Sequence, residues 1–313
     1  MAISRRGLEI SLGALWILDG GLQLQPYMFT PSFASDVIGS AGDRQAWFVS
    51  APIGWLATTV GTHPLPWDLA FGLIQICIGL ALIARPANVV ALAASVTWGL
   101  AVWYFGEGLG GLTSSTGLLL TGAPGAALAY VVLSAAAWPT RDQRHRPGNP
   151  SGYPRRWLLI VWVAYWVGGS ALQLKNGPTR GPELAATLAQ TPTNTSAWLG
   201  RLDFSLARSA NHLNHTTILV LIGAQALIGV LALVPPARTV ALAVGVAAAL
   251  GDWTIGQQLG QLFSGRATDP NTGPLVVLMA AATYAACRTP EQRQIAATKL
   301  PAISVFPRPS RPA

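Results

Sequence analysis

Trp103-Tyr104-Phe105-Gly106-Glu107-Gly108-Leu109-Gly110-Gly111 closes a long apolar run with one carboxylate set among glycines. The chain writes this pattern a second time as Trp253-Thr254-Ile255-Gly256-Gln257-Gln258-Leu259-Gly260-Gln261. Trp253 against Trp103 gives an offset of 150 residues, and the same offset aligns much of the chain. Trp16 falls on Trp166, Gln23 on Gln173, Gln75 on Gln225 and Gly79 on Gly229. Pro86 falls on Pro236, Val90-Ala91-Leu92-Ala93 on Val240-Ala241-Leu242-Ala243, Gly110 on Gly260 and Pro124 on Pro274. Apolar letters coincide readily in a greasy chain. Trp, Gln, Gly and Pro at one fixed register indicate tandem duplication.

Composition sets the solvent. Of 313 residues, 51% are hydrophobic and 10% charged, where a soluble domain carries about 25% charged residues. Mean hydropathy is +0.42. A large soluble enzyme is excluded as the natural reading. Several apolar runs approach the roughly 20 residues that cross a bilayer. The expected fold is therefore an all-α integral membrane protein with eight transmembrane helices, arranged as two parallel four-helix repeats.

The first repeat covers residues 1–139. Its spans are expected near Gly7–Leu24, Trp67–Ala84, Ala87–Gly106 and Pro124–Trp138. The first run follows Arg5 and Arg6 as a signal peptide would, but it lacks a small-residue cleavage site and recurs mid-chain. An interfacial helix is expected near residues 45–60, where Trp47, Phe48 and Trp55 supply amphipathic aromatics. Residues 140–156 form a basic linker. The second repeat covers 157–288, with spans near Trp157–Leu174, Thr216–Val234, Ala237–Ile255 and Pro274–Arg288. Residues 289–313 read as a basic, Pro-rich, disordered tail.

Four spans per unit is an even number, so both units enter the membrane in the same sense. The net charge of +8 is concentrated in Ser4-Arg5-Arg6, Arg141–Arg156 and Arg288–Arg311. Basic residues beside spans mark the cytoplasmic side and meet anionic head groups. A multi-pass protein of the cell membrane with both termini cytoplasmic is expected. Arg180, Arg201 and Arg208 oppose that bias from a long loop, where it is weak. No basic face carries interleaved aromatics, which argues against nucleic acid.

A polar group inside a span is costly unless partnered, so such groups mark candidate function. Trp16, Asp19 and Gln23 share a helical face at i, i+3 and i+7. Gly72, Gln75 and Gly79 share another, and Gln173 and Gln225 are their counterparts. Glutamine between small residues equally serves helix packing. Glu107 ends the third helix, where the macrodipole disfavours negative charge. It needs a partner, a proton or water. Trp103, Glu107 and Gly110 are expected on one face, opposite the free N–H groups of a helix starting near Pro124. The segment reads either as a tight, capped outer loop or as an outward pocket lined by Glu107, Trp103, Gln257 and Asp252. The candidate catalytic residues are Glu107 and Asp19. The candidate ligand-lining residues are Trp103, Gln23, Gln75, Gln173, Gln225, Asp252 and Gln257.

His212 and His215 lie at i, i+3 but offer too few ligands for a metal. No haem or metal site is evident. Cys77 and Cys287 form no CxxC.

Four helices per unit, a first helix with small residues and a polar position, and a Gly-containing second helix resemble the DoxX/DoxD-like membrane family. The chain looks like two such units fused. The resemblance implies a quinone-linked redox role, with quinone as candidate cofactor and a membrane or extracytoplasmic protein as candidate partner. It transfers no catalytic residue, and the long outer loops and the Gly-Glu-Gly-Leu-Gly-Gly segment fall outside the family pattern. A small-solute or ion transporter and a non-catalytic assembly protein are the alternatives. Glu107 opposite Gln257, and Asp19 opposite Gly169, suggest that only the first half kept an ionisable site.

Overall fold

The computed structural model describes residues 3–85, 88–115, 117–139, 156–189 and 197–287. The linker, apart from Arg156, and the tail lie outside these residues. Among the described residues the structure is helical and holds no strand.

Helix α1 is Arg5–Leu22, α2 is Trp47–Thr62, α3 is Pro64–Ala84, α4 is Val89–Phe105 and α5 is Ala126–Ala136. Helix α6 is Leu158–Asn176, α7 is Gly181–Leu188, α8 is Ala197–Ala210, α9 is His215–Leu231, α10 is Arg238–Ile255 and α11 is Thr272–Cys287. Five of these starts have a local cause. Ser4 Oγ accepts the Gly7 N–H, and Asn88 and Asn214 cap α4 and α9 through their side-chain oxygens. Prolines sit at the first turn of α3 and α7, where a missing N–H costs nothing.

Helices α3, α6 and α10 are long and apolar enough to cross a membrane. Helices α4, α5, α9 and α11 are apolar but shorter, at 10–17 residues. Helix α1 carries Arg5, Arg6, Glu9 and Asp19 within its 18 residues. The long loop expected to carry Arg180, Arg201 and Arg208 contains two helices, α7 and α8. At 8 and 14 residues, the second carrying Arg201, Asp203 and Arg208, they do not read as spans.

Pairing follows small residues. α1 packs along α3, α4 along α5, α6 along α9, and α10 along α11. At α1–α3 the backbones meet through glycines: a Cβ on Gly13 would lie 2.7 Å from Gly79 O, and one on Gly20 2.6 Å from Gly72 O. Arg5 and Arg6 both pair with the buried Glu9, at 2.8 and 3.3 Å, while Arg6 also donates to the Leu82 and Ile83 carbonyls ending α3. That cation meets the negative end of the helix dipole. One continuous core joins the halves, with Leu12, Trp16, Tyr130, Trp162, Trp166 and Met279 all buried. α11 packs on both α5 and α6. Large apolar side chains point outward instead, among them Leu73 and Leu80 of α3, Val220 of α9 and Val240 of α10. Trp47 at 81% and Trp55 at 66% exposure stand out from α2.

The opening segment is a left-handed turn. α4 ends at Phe105, and both Gly106 N and Glu107 N donate to Val102 O. Gly108, Leu109, Gly110 and Gly111 then all take positive φ. Gln258, Leu259, Gly260 and Gln261 do the same. This removes Gly110 from the face of Trp103 and Glu107, correcting the expected i+7 alignment. It turns the chain back so that Gly110 lies against the Pro124 carbonyl, where a Cβ would collide. Proline precedes rather than opens α5, which begins at Ala126 after a positive-φ Gly125.

The two connections then cross between halves. Gln25 Nε2, just beyond α1, donates to Ala267 O at 3.1 Å. Asn176 Nδ2, at the end of α6, reaches Gly117 O at 3.4 Å. Gly117 and Ala267 stand at the 150-residue offset. Arg266 also lies over the Tyr27 ring, 4.4 Å from its centroid.

Candidate functional site

The crossing delivers residues 268–269 into the first half. There Asp19, Gln23, Gln75, Glu107, Tyr130 and Asp269 surround a cavity of about 250 Å³. Its walls are apolar and aromatic, including Trp16, Phe33, Phe71, Trp98 and Phe105. No Lys, Arg or His lines it.

The floor is a hydrogen-bonded network tying three helices. Trp16 Nε1 donates to Ser95 Oγ at 2.7 Å, and Ser95 and Ser134 hydroxyls meet at 2.8 Å. Trp16 stacks on Tyr130 with centroids 4.2 Å apart. The Tyr130 hydroxyl donates to Asp19 Oδ2 at 2.5 Å. Asp19 is 2% exposed, and its Oδ1 has no hydrogen-bond partner. Gln23 donates to Asp68 at a long 3.5 Å. The side-chain oxygens of Gln23 and Gln75 are buried and unpartnered. Glu107 Oε2 and the Trp98 indole N–H are open as well, and five such atoms on residues around one cavity are uncommon, because a buried polar atom without a partner is costly.

Glu107 answers the question its position raised. Its Oε1 accepts the Ala127 N–H at 3.0 Å, so the carboxyl caps the N-terminus of α5 from another segment. The helix end expected to bind an anion is already occupied by this carboxyl. Burial, with the Asp269 charge adding to it, pushes the Glu107 carboxyl up to about 8, against the pull of the Ala127 and Ala126 amides. Asp269 accepts from Asn271 N at 2.6 Å and from the Thr268 hydroxyl at 2.8 Å. Burial raises its carboxyl above the ordinary range all the same.

Glu107 and Asp269 also line a second space, a cleft of about 290 Å³ with Gly110, Gly122 and Asn271. Asp269 further borders a more polar pocket of about 400 Å³ with Gln257, Gln258 and Arg266. The two carboxyls thus stand between the apolar cavity and polar space.

At the 150-residue offset, the described residues carry no matching acid set. Gly169 replaces Asp19, and Leu119 fills the space beside it. Gly245 replaces Ser95, and the Trp162 ring occupies that room. Ala280 replaces Tyr130. Gln257 replaces Glu107, and its Oε1 accepts the Thr272 hydroxyl at 3.0 Å.

Of the residues singled out from sequence, Asp19, Gln23, Gln75 and Glu107 converge. Trp103 does not line the cavity: its Nε1 donates to Pro124 O at 2.7 Å, as Trp253 does to Pro270 O at 2.6 Å. Gln173, Gln225, Asp252 and Gln257 lie in the second half, outside this cavity. The expected pocket of Glu107, Trp103, Gln257 and Asp252 is not the one formed. Tyr130 and Asp269 are site residues that sequence reasoning missed. Among the described residues, no group of three or more His, Cys, Asp or Glu is arranged to hold a metal ion. Cys77 and Cys287 are free.

No family model, curated protein or solved structure matches this chain.

Proposed function

We propose that the chain is a multi-pass membrane protein built by tandem duplication, with eight membrane helices and cytoplasmic termini, and that it is a carrier for a small solute. The outward-pointing apolar side chains of α3, α9 and α10 support membrane embedding. The equal turns at Gly108–Gly111 and Gln258–Gln261, and the equal Trp-to-Pro hydrogen bonds, support the duplication. One observation carries the carrier reading: Glu107 and Asp269 line both the apolar cavity and the second cleft. Carboxyls at such a boundary can exchange protons with water on one side and meet a ligand on the other. In this reading the first half is the working half and the second is structural.

The quinone-linked reading drawn from the DoxX/DoxD resemblance uses the same cavity. It is favoured by Glu107 alone, which keeps a proton near neutral pH and can donate it to a carbonyl. A counterflow assay in proteoliposomes tests the carrier. The panel comprises amines, carboxylates, sugars and short-chain quinones. Wild type is expected to move at least one faster than protein-free vesicles, and Glu107→Gln to slow it. Equal rates for all three preparations and all solutes would sink the carrier reading.

A further inference from the structure

The open acceptors define the ligand more narrowly than its size does. The cavity, at about 250 Å³, lies below the roughly 300 Å³ at which pockets for drug-sized ligands begin. Its unmatched buried polar atoms are four oxygens, Asp19 Oδ1, Gln23 Oε1, Gln75 Oε1 and Glu107 Oε2, against one donor, the Trp98 indole N–H. Three carboxyl groups face it, and its lining carries no cation to balance them. Trp16, Trp98 and Phe71 present ring surface, with Phe71 and Trp98 centroids 5.8 Å apart. Aromatic faces attract cations, most strongly where water is excluded.

We infer that the cavity accepts a small protonated amine with an apolar body, its ammonium held by Asp19 and its body by the rings of Trp16, Trp98 and Phe71. This rests on the carrier reading only for the site, not for the movement of solute. The ammonium supplies positive charge, which the cavity lacks, and N–H donors, of which only the Trp98 indole is open against four acceptors. A quinone brings only acceptors to a wall already rich in them, and an alcohol offers a single neutral donor and no charge. The groups facing the ammonium are Asp19 and Tyr130 from α1 and α5, and Glu107 and Asp269 from the two connections. A cation entering this set favours the ionised form of Glu107, so binding expels the carboxyl proton to water.

Full-length wild type in detergent is titrated with 2-phenylethylamine and with 2-phenylethanol, a neutral analogue of nearly equal shape. Tryptophan fluorescence reports binding. Calorimetry in two buffers of different ionisation heat reports proton release. The amine is expected to bind about tenfold or more tighter than the alcohol, as a charge-assisted hydrogen bond implies, and to release protons at neutral pH. Asp19→Asn is expected to erase the preference. Equal affinities, or tighter binding of the alcohol, overturn the amine assignment while leaving the cavity a binding site. Binding of neither also overturns it, and the solute panel then judges the carrier reading separately. Because the comparison is made on wild type, it stands even if the variant fails to fold.

Discussion

Leu119 stands in the space that a side chain on Gly169 would need. Asp269, its counterpart at the 150-residue offset, instead reaches the cavity that holds Asp19. The two halves exchange connections, and the exchange has opposite consequences: one delivers a carboxyl to an open cavity, the other a leucine to a closed one. The asymmetry between halves is therefore built by pairs of residues, Asp19 with Asp269 and Gly169 with Leu119.

Removing that leucine tests the closed half. Leu119 is fully buried. Leu119→Ala is expected to cost about 2–5 kcal/mol of stability, as for other buried leucines. Unfolding followed by circular dichroism in detergent reads this. Because Leu119 does not line the acidic cavity, ligand binding at the first half should stay unchanged.

Stability should fall as pH rises. The folded state holds the Glu107 proton up to about 8, above the ordinary 4.5. Between those values the unfolded chain releases a proton that the fold keeps, so this contribution is full at low pH and lost as pH rises through about 8. Asp269, also raised, acts in the same direction. Melting temperatures across this range should decline for wild type and decline less for Glu107→Gln. An identical slope in the two proteins would show that Glu107 is not the group responsible.

The reach of Asp269 into the first half predicts an electrostatic effect across the exchange. Its charge helps raise Glu107. In Asp269→Asn, Glu107 should titrate below about 8. Infrared difference spectra of the carboxyl carbonyl band, with Glu107→Gln to assign the band, measure that shift. An unmoved titration would separate the two residues.

Close approach of α1 and α3 depends on glycine. A Cβ on Gly79 would lie 2.5 Å from Gly13 O, while one on Gly54 meets nothing within 4 Å. Gly79→Leu should prevent recovery of folded protein, and Gly54→Ala should leave the yield unchanged. Monodispersity on size exclusion reads both.

Much of this was legible in the sequence, for physical reasons. Polar residues within apolar helices are few, so Asp19, Gln23 and Gln75 stood out, and all three line the cavity. Glu107 was marked by its clash with the helix dipole, and its partner proved to be another helix's N-terminus. Tyr130 was not legible, because a tyrosine among alanines and valines reads as core. Asp269 was not legible, because its partners lie some 250 residues away (Asp19 to Asp269) and meet it only through the crossed connections. Its segment was marked as turn-forming, but turn chemistry does not say which half a turn faces. The face shared by Trp103, Glu107 and Gly110 failed because four successive left-handed residues follow Glu107, and helical periodicity ends with the helix. Helices α7 and α8 went unseen because they are short and amphipathic.

The central claim is that buried carboxyls of the first half share an apolar cavity that a small molecule can enter. Dicyclohexylcarbodiimide, which reacts with protonated carboxyls in apolar surroundings, tests it without knowledge of the natural ligand. Full-length protein is treated at neutral pH, and the modified residues are mapped by mass spectrometry. The account predicts modification at Glu107, lost in Glu107→Gln and slowed by 2-phenylethylamine. Modification confined to acids outside the cavity, such as Asp36, Asp43 and Glu183, would contradict it.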